Sequence, residues 1–272
     1  MNKLFEIRSI ARLYRLAGRF GLTVVMFAFA SISANAQIQF HSDSKPVHVI
    51  ELYTSEGCYS CPPADRWLSS LIDHPGLFKQ FVPVSFHVDY WNYLGWPDRY
   101  SRPEFSDRQR RYNRLGQVSG VYTPGMFLDG YEWRTWRQSS KNALATGQRG
   151  KDSANSIGML QVNYQAKQTT HVTYKAHSNE KPGKIYVALL GVGIEAPIAR
   201  GENKGKTLHH DFVVLDLQEA KLKQNDQGDF VSEVPAFTTD LQAPKYALAA
   251  WVTTEKDNSP LQAAGGWLPA TE

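Results

Sequence analysis

Cysteine is scarce in this chain of 272 residues, and long apolar segments are missing from it. The two cysteines are too few for a four-cysteine zinc site. The main apolar run, residues 20–32, falls short of the ~20 residues that cross a bilayer. No later segment is apolar for long enough, so we expect no membrane span after the leader described below. The chain is also too hydrophobic to be disordered.

Surplus positive charge is missing outside the first 36 residues. The chain has 30 Lys and Arg against 26 Asp and Glu, a formal charge of +4. Five of these bases and one acid lie in residues 1–36, so residues 37–272 carry 25 of each sign. Because nucleic-acid binding needs an excess of Lys and Arg to displace counterions, this balance gives it no support.

The first 36 residues have the three parts of an export signal. A basic stretch to Arg19 precedes the apolar run, and Ala34-Asn35-Ala36 supplies the small residues that a signal peptidase needs. The pattern predicts cleavage at about Ala36 and a periplasmic or secreted mature protein. The alternative is an uncleaved anchor, because the basic region is unusually long. No cysteine lies nearby for a lipid anchor.

The rest of the chain is expected to form two domains. Strand-like and helix-like patterns alternate from Val47 to about Gly147, and only strand patterns follow from Ile157. Seven such runs separated by polar turns are typical of an all-β antiparallel sandwich. The prediction is an α/β domain over residues 37–147, a polar linker over 148–155, and a β-sandwich domain over 156–272.

The first half predicts the order strand, helix, strand, helix, strand, strand. The first helix starts at Pro62 and Pro63, where a missing N–H costs nothing. The last two strands are predicted over 118–122 and 125–128. The second helix, opened by a capping-box pattern from Ser101, carries several arginines, among them Arg108, which are expected to form a solvated face.

Both cysteines fall in one motif, Cys58-Tyr59-Ser60-Cys61, between a predicted strand and a predicted helix. This position places Cys58 at a helix N-terminus, where free N–H groups and the helix dipole stabilise a thiolate. The two intervening residues let Cys61 reach back and close a disulfide or resolve a mixed one. The motif therefore favours thiol-disulfide chemistry.

Three stretches of the sequence carry a resemblance to known proteins. They are Glu51 to Asp65, Phe86 to Trp91 with Tyr122-Thr123-Pro124, and Arg200 to Asp211. They look like a family of secreted bacterial proteins of unknown function that contain a thioredoxin-like domain, and residues 47 to about 145 resemble the thioredoxin fold. The resemblance implies a thioredoxin-like α/β domain with redox ancestry, and it brings no established substrate.

The resemblance also implies roles for individual residues. Cys58 would be the attacking cysteine and Cys61 the resolving one. Pro124 would be the cis-proline of a substrate groove, with Thr123 presenting its backbone; an ordinary trans proline is the alternative. Glu51 would be a buried acid that exchanges protons with the resolving cysteine. Alternatively, Glu51 is an edge carboxylate paired with a base.

Two aromatic side chains complete the predicted substrate-binding set. Tyr59 stands where thioredoxins have the first residue of a Gly-Pro pair, and Gly57 replaces the tryptophan before the first cysteine. Trp91 belongs to an aromatic segment between Asp89 and Ser101 that could form a platform for apolar or unfolded peptide. A self-packed loop is the alternative for this segment.

Histidines raise two further possibilities. His87 and Asp89, two residues apart, suggest a Cys-His-Asp relay, and the two thiolates with His87 suggest a Cu(I) or Zn(II) site. A strand histidine satisfied within a polar network is the alternative. His209 and His210 are adjacent on a predicted strand and point to opposite faces. No metal site is predicted.

The sequence therefore predicts an exported protein that performs thiol-disulfide exchange at Cys58 and Cys61 without a cofactor. Its expected partners are thiols or disulfides of exported proteins and an unidentified redox partner. One alternative is a non-enzymatic secreted binding protein with a static Cys58-Cys61 disulfide, which export to an oxidising compartment allows. Another is a copper-binding or metal-delivery protein.

Overall fold

A computed structural model describes residues 37–138, 157–177, 181–257 and 259–269. The predicted leader, 1–36, and the predicted linker, 148–155, lie outside the described residues, and the division into two domains stays a prediction. The described part contains two α-helices, α1 (Pro62–Ser69) and α2 (Pro103–Arg114). Its strands are β1 (Ile38–His41), β2 (His48–Thr54), β3 (Phe81–His87), β4 (Gly125–Leu128), β5 (Tyr131–Glu132), β6 (Met159–Tyr164), β7 (Thr170–Lys175), β8 (Pro182–Val192), β9 (Ile194–Pro197), β10 (Thr207–His210), β11 (Val213–Lys221), β12 (Lys223–Gln224), β13 (Phe230–Val234), β14 (Lys245–Thr254) and β15 (Pro260–Trp267).

The strands form three sheets. The largest has eight strands in the order β15-β14-β8-β11-β3-β2-β4-β5. A five-stranded sheet has the order β1-β6-β7-β13-β12, and β9 and β10 form a two-stranded ribbon. Within the large sheet, β2 and β3 are parallel and β3 and β11 are parallel at Ser85 and Val213, while the other neighbours are antiparallel.

The predicted fold class, a thioredoxin-like α/β domain followed by a separate antiparallel sandwich, is wrong. The described chain is mostly β, and its largest sheet takes strands from both halves of the sequence. Each of the seven strand-like runs of the second half contains strand residues, but the run over 208–217 is split between β10 and β11, and four strands of this half extend the sheet of the first half. The sequence pattern located the strands and did not give their partners.

The physical reason lies in the burial of the long strands β8 and β14, which have apolar side chains on both faces. On one face, Tyr186 and Ala188 of β8 join the core of the first half, together with Trp251 of β14. On the other face, Ile185 and Val187 pack with the five-stranded sheet. Strands covered on both faces lie between two packed layers, whereas each sheet of a two-layer sandwich leaves one face in solvent.

The elements around the cysteines follow the predicted order with one change. Strand β2 lies between β3 and β4, and α1 follows β2 directly after the cysteine motif. Residues 118–122 are not a strand; the second strand of the predicted pair, β4, pairs instead with the short β5. The carbonyl oxygen of Tyr122 accepts a hydrogen bond from the side chain of Gln109 rather than from a neighbouring strand.

Candidate functional site

Cys58 and Cys61 form a disulfide in the turn between β2 and α1. Their Cα atoms are 5.4 Å apart, and Cys61 is the N-cap residue of α1, with Pro62 opening the helix. Cys58 is 4% exposed and Cys61 is fully buried. The predicted disulfide is confirmed, and Cys58 is the member of the pair that solvent reaches.

Trp91 connects the cysteine turn to the proline loop. Its indole Nε1 donates a hydrogen bond to Thr123 Oγ1 over 2.7 Å. Its Cβ lies 3.3 Å from the place that a Cβ on Gly57 would occupy, so glycine at 57 lets the tryptophan lie close to the turn. The Thr123–Pro124 peptide bond is cis. Three of the predicted site residues, Trp91, Thr123 and Pro124, are therefore grouped beside Cys58.

The surface around the disulfide carries exposed aromatic side chains. Tyr59 is 66% exposed, Tyr93 is 76% exposed and stacks on Trp91 with a ring separation of 6.3 Å, and Tyr122 is partly exposed. A cleft of about 300 Å³ is lined by Tyr122, Pro124 and Trp136 among others. The aromatic segment after Asp89 thus packs on the cysteine turn and leaves some of its rings in solvent.

Glu51 lies in a buried ion pair. Its carboxylate accepts two hydrogen bonds from Arg108, at 2.9 and 3.0 Å, and one each from the hydroxyls of Tyr53 and Tyr112, at 2.8 and 2.5 Å. We call these four residues the Glu51–Arg108 network. Of the two alternatives for Glu51, the structure shows a carboxylate paired with a base, although in the core rather than at an edge.

Arg108 is buried rather than part of a solvated face, which corrects the expectation for this arginine. Its guanidinium carbon lies between 4.7 and 5.4 Å from the centres of four rings, those of Phe86, Tyr112, Tyr186 and Trp251. Such cation–π contacts and the ion pair together replace the water that a guanidinium loses on burial. Arg110, on the same helix, is more exposed and pairs with Asp107.

A second group of buried charges lies on the opposite face of β3. Phe86 contacts Arg108, and because side chains alternate along a strand, its neighbour His87 points the other way. His87 Nδ1 is 2.7 Å from Asp98 Oδ2, and the ring of His87 lies 4.9 Å from that of His210. The carboxylate–histidine cluster, as we call it, consists of Glu56, Asp65, His87, Asp98 and His210, all less than 7% exposed.

The cluster has polar atoms without hydrogen-bond partners. Within the described part of the chain, no partner is found for Glu56 Oε1, His87 Nε2 or either ring nitrogen of His210. The shortest approaches of His210 to acids are 3.8 Å to Glu56 Oε1 and 4.0 Å to Asp65 Oδ2, beyond hydrogen-bond length. Buried polar atoms left free in this way are uncommon in folded proteins.

Burial and mutual charge shift the pKa values of the cluster in opposite directions. Burial raises the pKa of Asp65 to about 7 and that of Glu56 above its usual value, the latter with help from the Asp98 charge. Burial opposes protonation of His87, but the Asp98 carboxylate outweighs it and raises the His87 pKa to about 9. Burial and the neighbouring His87 cation lower the pKa of His210 to about 3.

Asp65 links the cluster to the disulfide. It lies four residues after Cys61 on α1, one helical turn away on the same face, and its N–H donates to the Cys61 carbonyl oxygen over 3.2 Å. A carboxyl with a pKa of about 7 can give or take a proton near neutral pH. The Asp65 carboxyl, which can exchange a proton near neutral pH, therefore lies one helical turn after the buried Cys61.

Most members of this cluster are not among the residues that the sequence pattern predicts. The spacing of His87 and Asp89 suggests a relay, whereas Asp89 Oδ1 accepts a hydrogen bond from Ser106 and Asp98 is the acid on His87. The four-residue spacing from Cys61 could have indicated Asp65. Strand alternation predicts that His209 and His210 point to opposite faces, but which of the two is buried depends on the elements that pack on the strand, and no local pattern gives these.

Two further observations concern ligands and membranes. Among the residues that the structure describes, no group of three or more His, Cys, Asp or Glu side chains could hold a metal ion. No helix in the same residues is long and apolar enough to span a bilayer.

The chain is similar to one protein family and to two solved structures. A family model described as a protein of unknown function, DUF1223, matches residues 49–253. A crystal structure of a protein from Agrobacterium tumefaciens is 23% identical, with a TM-score of 0.60, and the match covers 85% of this chain and 97% of that one. HBP35 of Porphyromonas gingivalis is 15% identical with the same TM-score, covering 85% and 79%. These two likenesses concern the fold alone, and no curated protein matched the sequence.

Proposed function

We propose that this protein, which belongs to the DUF1223 family of unknown function, is an exported thiol-disulfide oxidoreductase that uses Cys58 and Cys61. One observation carries the proposal: the Cys58–Cys61 disulfide lies at the N-terminus of α1, directly next to a buried group of titratable side chains. The export part of the proposal rests on the sequence pattern of residues 1–36.

The exchange starts at Cys58, the more accessible sulfur. A thiolate of a reduced substrate attacks Cys58 Sγ, forms a mixed disulfide and breaks the Cys58–Cys61 bond, so that Cys61 leaves as a thiolate. A second substrate thiolate then attacks the substrate sulfur of the mixed disulfide and releases Cys58. The substrate loses two electrons, the protein dithiol gains them, and two protons follow. Run backwards, the same steps oxidise the protein and reduce the substrate.

The buried Cys61 requires a proton when it leaves, and Asp65 is the proposed donor. Cys61 is fully buried, so an unprotonated thiolate there would be an uncompensated charge. Asp65 lies one turn along the same helix and is partly protonated near pH 7. Glu51 was predicted for this task, but its carboxylate is held by Arg108 and two tyrosines on the other face of the sheet.

The substrate is proposed to approach on the side of Trp91, Thr123 and Pro124. These residues flank the cysteine turn, and a cleft lined by Pro124 and Tyr122 lies next to them. The exposed ring of Tyr59 adds apolar surface next to Cys58. Apolar and aromatic rims suit extended polypeptide, so thiols or disulfides of exported proteins are the proposed substrates.

The decisive measurement is the equilibrium of residues 37–272 with mixtures of reduced and oxidised glutathione. The proposal predicts that the pair equilibrates between about −120 and −300 mV, the range of known redox-active pairs. Cys61→Ala should trap mixed disulfides with exported proteins through Cys58. Cys58→Ala is the matched control and should trap far fewer, since the remaining Cys61 is buried.

A second candidate is a binding protein with a static disulfide, and the low exposure of Cys58 favours it. In that case the bond would stay closed over the whole glutathione range, and Cys61→Ala would capture no more protein than Cys58→Ala. The metal-delivery alternative has no supporting observation among the described side chains and stays a prediction.

A further inference from the structure

A tight loop from the later part of the chain lies against the cysteine turn. Residues 199–206, which we call the strap, connect β9 to β10. The strap is closed at its base by hydrogen bonds from Ile198 N–H to the Lys206 carbonyl, 2.9 Å, and from Gly205 N–H to the Ile198 carbonyl, 2.8 Å. Gly201 and Gly205 have φ values of +74° and +80°, a conformation that glycine adopts without strain.

Asn203 of the strap is fully buried and binds the backbone on both sides of Gly57. Its Nδ2 group donates one hydrogen bond to the Glu56 carbonyl over 2.9 Å and another to the Cys58 carbonyl over 3.0 Å. Its Oδ1 accepts a hydrogen bond from Lys206 Nζ over 2.9 Å. One side-chain amide thus fixes two peptide groups next to the accessible cysteine.

Two further contacts hold the residue after Cys58. Glu202 Oε2 accepts a hydrogen bond from the Tyr59 N–H over 3.0 Å. The ammonium of Lys206 lies 4.4 Å from the centre of the Tyr59 ring. The backbone from Glu56 to Tyr59 is therefore held by side chains that lie about 145 residues later in the sequence.

We infer that the strap is a positioning element for the dithiol, and that Asn203 is its principal positioning residue. This inference rests on the proposed function. Fixing the carbonyls of residues 56 and 58 limits the conformations of the reduced turn. Cys58 Sγ is then kept close to Cys61 Sγ, and the effective concentration of one thiol at the other is raised.

The strap acts at the closing step of the exchange. After Cys58 has formed a mixed disulfide with a substrate, the Cys61 thiolate attacks Cys58 Sγ, the intramolecular bond forms, and the substrate sulfur leaves as a thiolate that takes up a proton. Two electrons pass from the protein to the substrate over the whole cycle. A turn that is held less firmly closes less often, which favours the reduced and mixed forms.

The test measures the equilibrium constant for closure of Cys58–Cys61 against glutathione in residues 37–272. We expect Asn203→Ala to lower this constant about fivefold or more, because two hydrogen bonds that favour the closed turn are lost. Lys204→Ala is the matched control: it lies on the same strap, its side chain is exposed, and it should leave the constant unchanged.

The same measurement separates positioning from general support of the fold. Replacing a residue that only stabilises the fold lowers the free energy of unfolding equally in the oxidised and reduced protein, and the closure constant does not change. We expect Asn203→Ala to lower the stability of the oxidised form more than that of the reduced form. Equal losses in both forms, with an unchanged constant, would overturn the inference.

A second pair of variants keeps the test decisive should Asn203→Ala fail to fold. Glu202 is exposed, so its replacement is tolerated. Glu202→Ala removes the acceptor of the Tyr59 N–H and should lower the closure constant about twofold, whereas Glu202→Gln keeps a carbonyl acceptor and should restore it. If the wild-type pair never equilibrates with glutathione, the proposed function fails and this inference with it. If it equilibrates but every strap variant matches wild type, the inference alone fails.

Discussion

Two groups of buried charges lie on opposite faces of strands β2 and β3, and they differ in how completely they are paired. In the Glu51–Arg108 network, the carboxylate receives four hydrogen bonds from arginine and tyrosine donors. In the carboxylate–histidine cluster, His210 has no hydrogen bond on either nitrogen and Glu56 has a free oxygen among the described residues. The first group is saturated, and the second retains capacity to exchange protons.

The difference shows why burial alone does not identify a functional acid. Glu51 and Asp65 are both buried carboxylates, and both lie close to the cysteine motif in the sequence. The Glu51 carboxylate has its cation and its hydrogen-bond donors in place, so no oxygen of it faces the cysteine turn's cluster without a partner. Asp65, with no cation bonded to it in the described structure, has a pKa that burial raises to about 7. The incompletely paired acid is the one suited to chemistry.

The largest expected effect comes from breaking the saturated network. Arg108→Met leaves Glu51 buried without a cation and should lower the free energy of unfolding by about 3–5 kcal/mol. Urea denaturation followed by circular dichroism measures this change. Arg110→Ala on the same helix is the control, with an expected change within about 0.5 kcal/mol. Equal effects of the two variants would contradict the assignment of a buried pair.

The next effect concerns Asp65. Its pKa rises from 3.8 to about 7 on folding, so its stabilising contribution is present below pH 3.8 and is lost as pH rises through about 7. Asp65→Asn cannot titrate and should exceed wild type in stability at pH 8 by up to about 4 kcal/mol. The two proteins should converge near pH 4. A difference that does not depend on pH would show that Asp65 is not buried as a titrating acid.

A smaller effect is expected from His87, the paired member of the cluster. The Asp98 carboxylate raises its pKa from 6.5 to about 9, so the pair stabilises the fold below pH 6.5 and the contribution is lost as pH rises through about 9. His87→Asn retains a donor for Asp98 but does not titrate. Wild type should lose about 2–3 kcal/mol relative to this variant between pH 6 and pH 9.5.

Denaturation at a series of pH values measures this loss for wild type and His87→Asn in parallel. A flat difference between wild type and His87→Asn would show that His87 is not charged in the folded protein.

The smallest effect is expected inside the saturated network. Tyr53→Phe removes one of the four donors to Glu51 and leaves Arg108 and Tyr112 in place. The expected loss of unfolding free energy is about 1.5–2 kcal/mol, toward the lower end of what a hydrogen bond to a charged group contributes. Urea denaturation would contradict the saturation argument if Tyr53→Phe were as harmful as Arg108→Met.

The local pattern predicted the cysteine pair and the positions of most strands, but not the buried cluster or the pairing of the strands. Apolar runs located the strands, and the position of the cysteine motif after β2 predicted the disulfide, because both depend on residues close in sequence. The fold class was wrong because the partner of β3 is β11, more than a hundred residues later, and no local pattern encodes that pairing. Arg108 was predicted on a solvated face, which is wrong for the same reason: two of the four aromatic rings around its guanidinium belong to β8 and β14.

The strap also sets an order of events during synthesis. Asn203 follows Cys58 by 145 residues, so at ribosomal speeds the cysteines precede it by on the order of ten seconds. Throughout that interval the turn has neither Asn203 on its carbonyls nor Glu202 on the Tyr59 N–H. The nascent thiols can therefore meet oxidants, reductants or other cysteines before these contacts exist, and the contacts form only when the last third of the chain has folded.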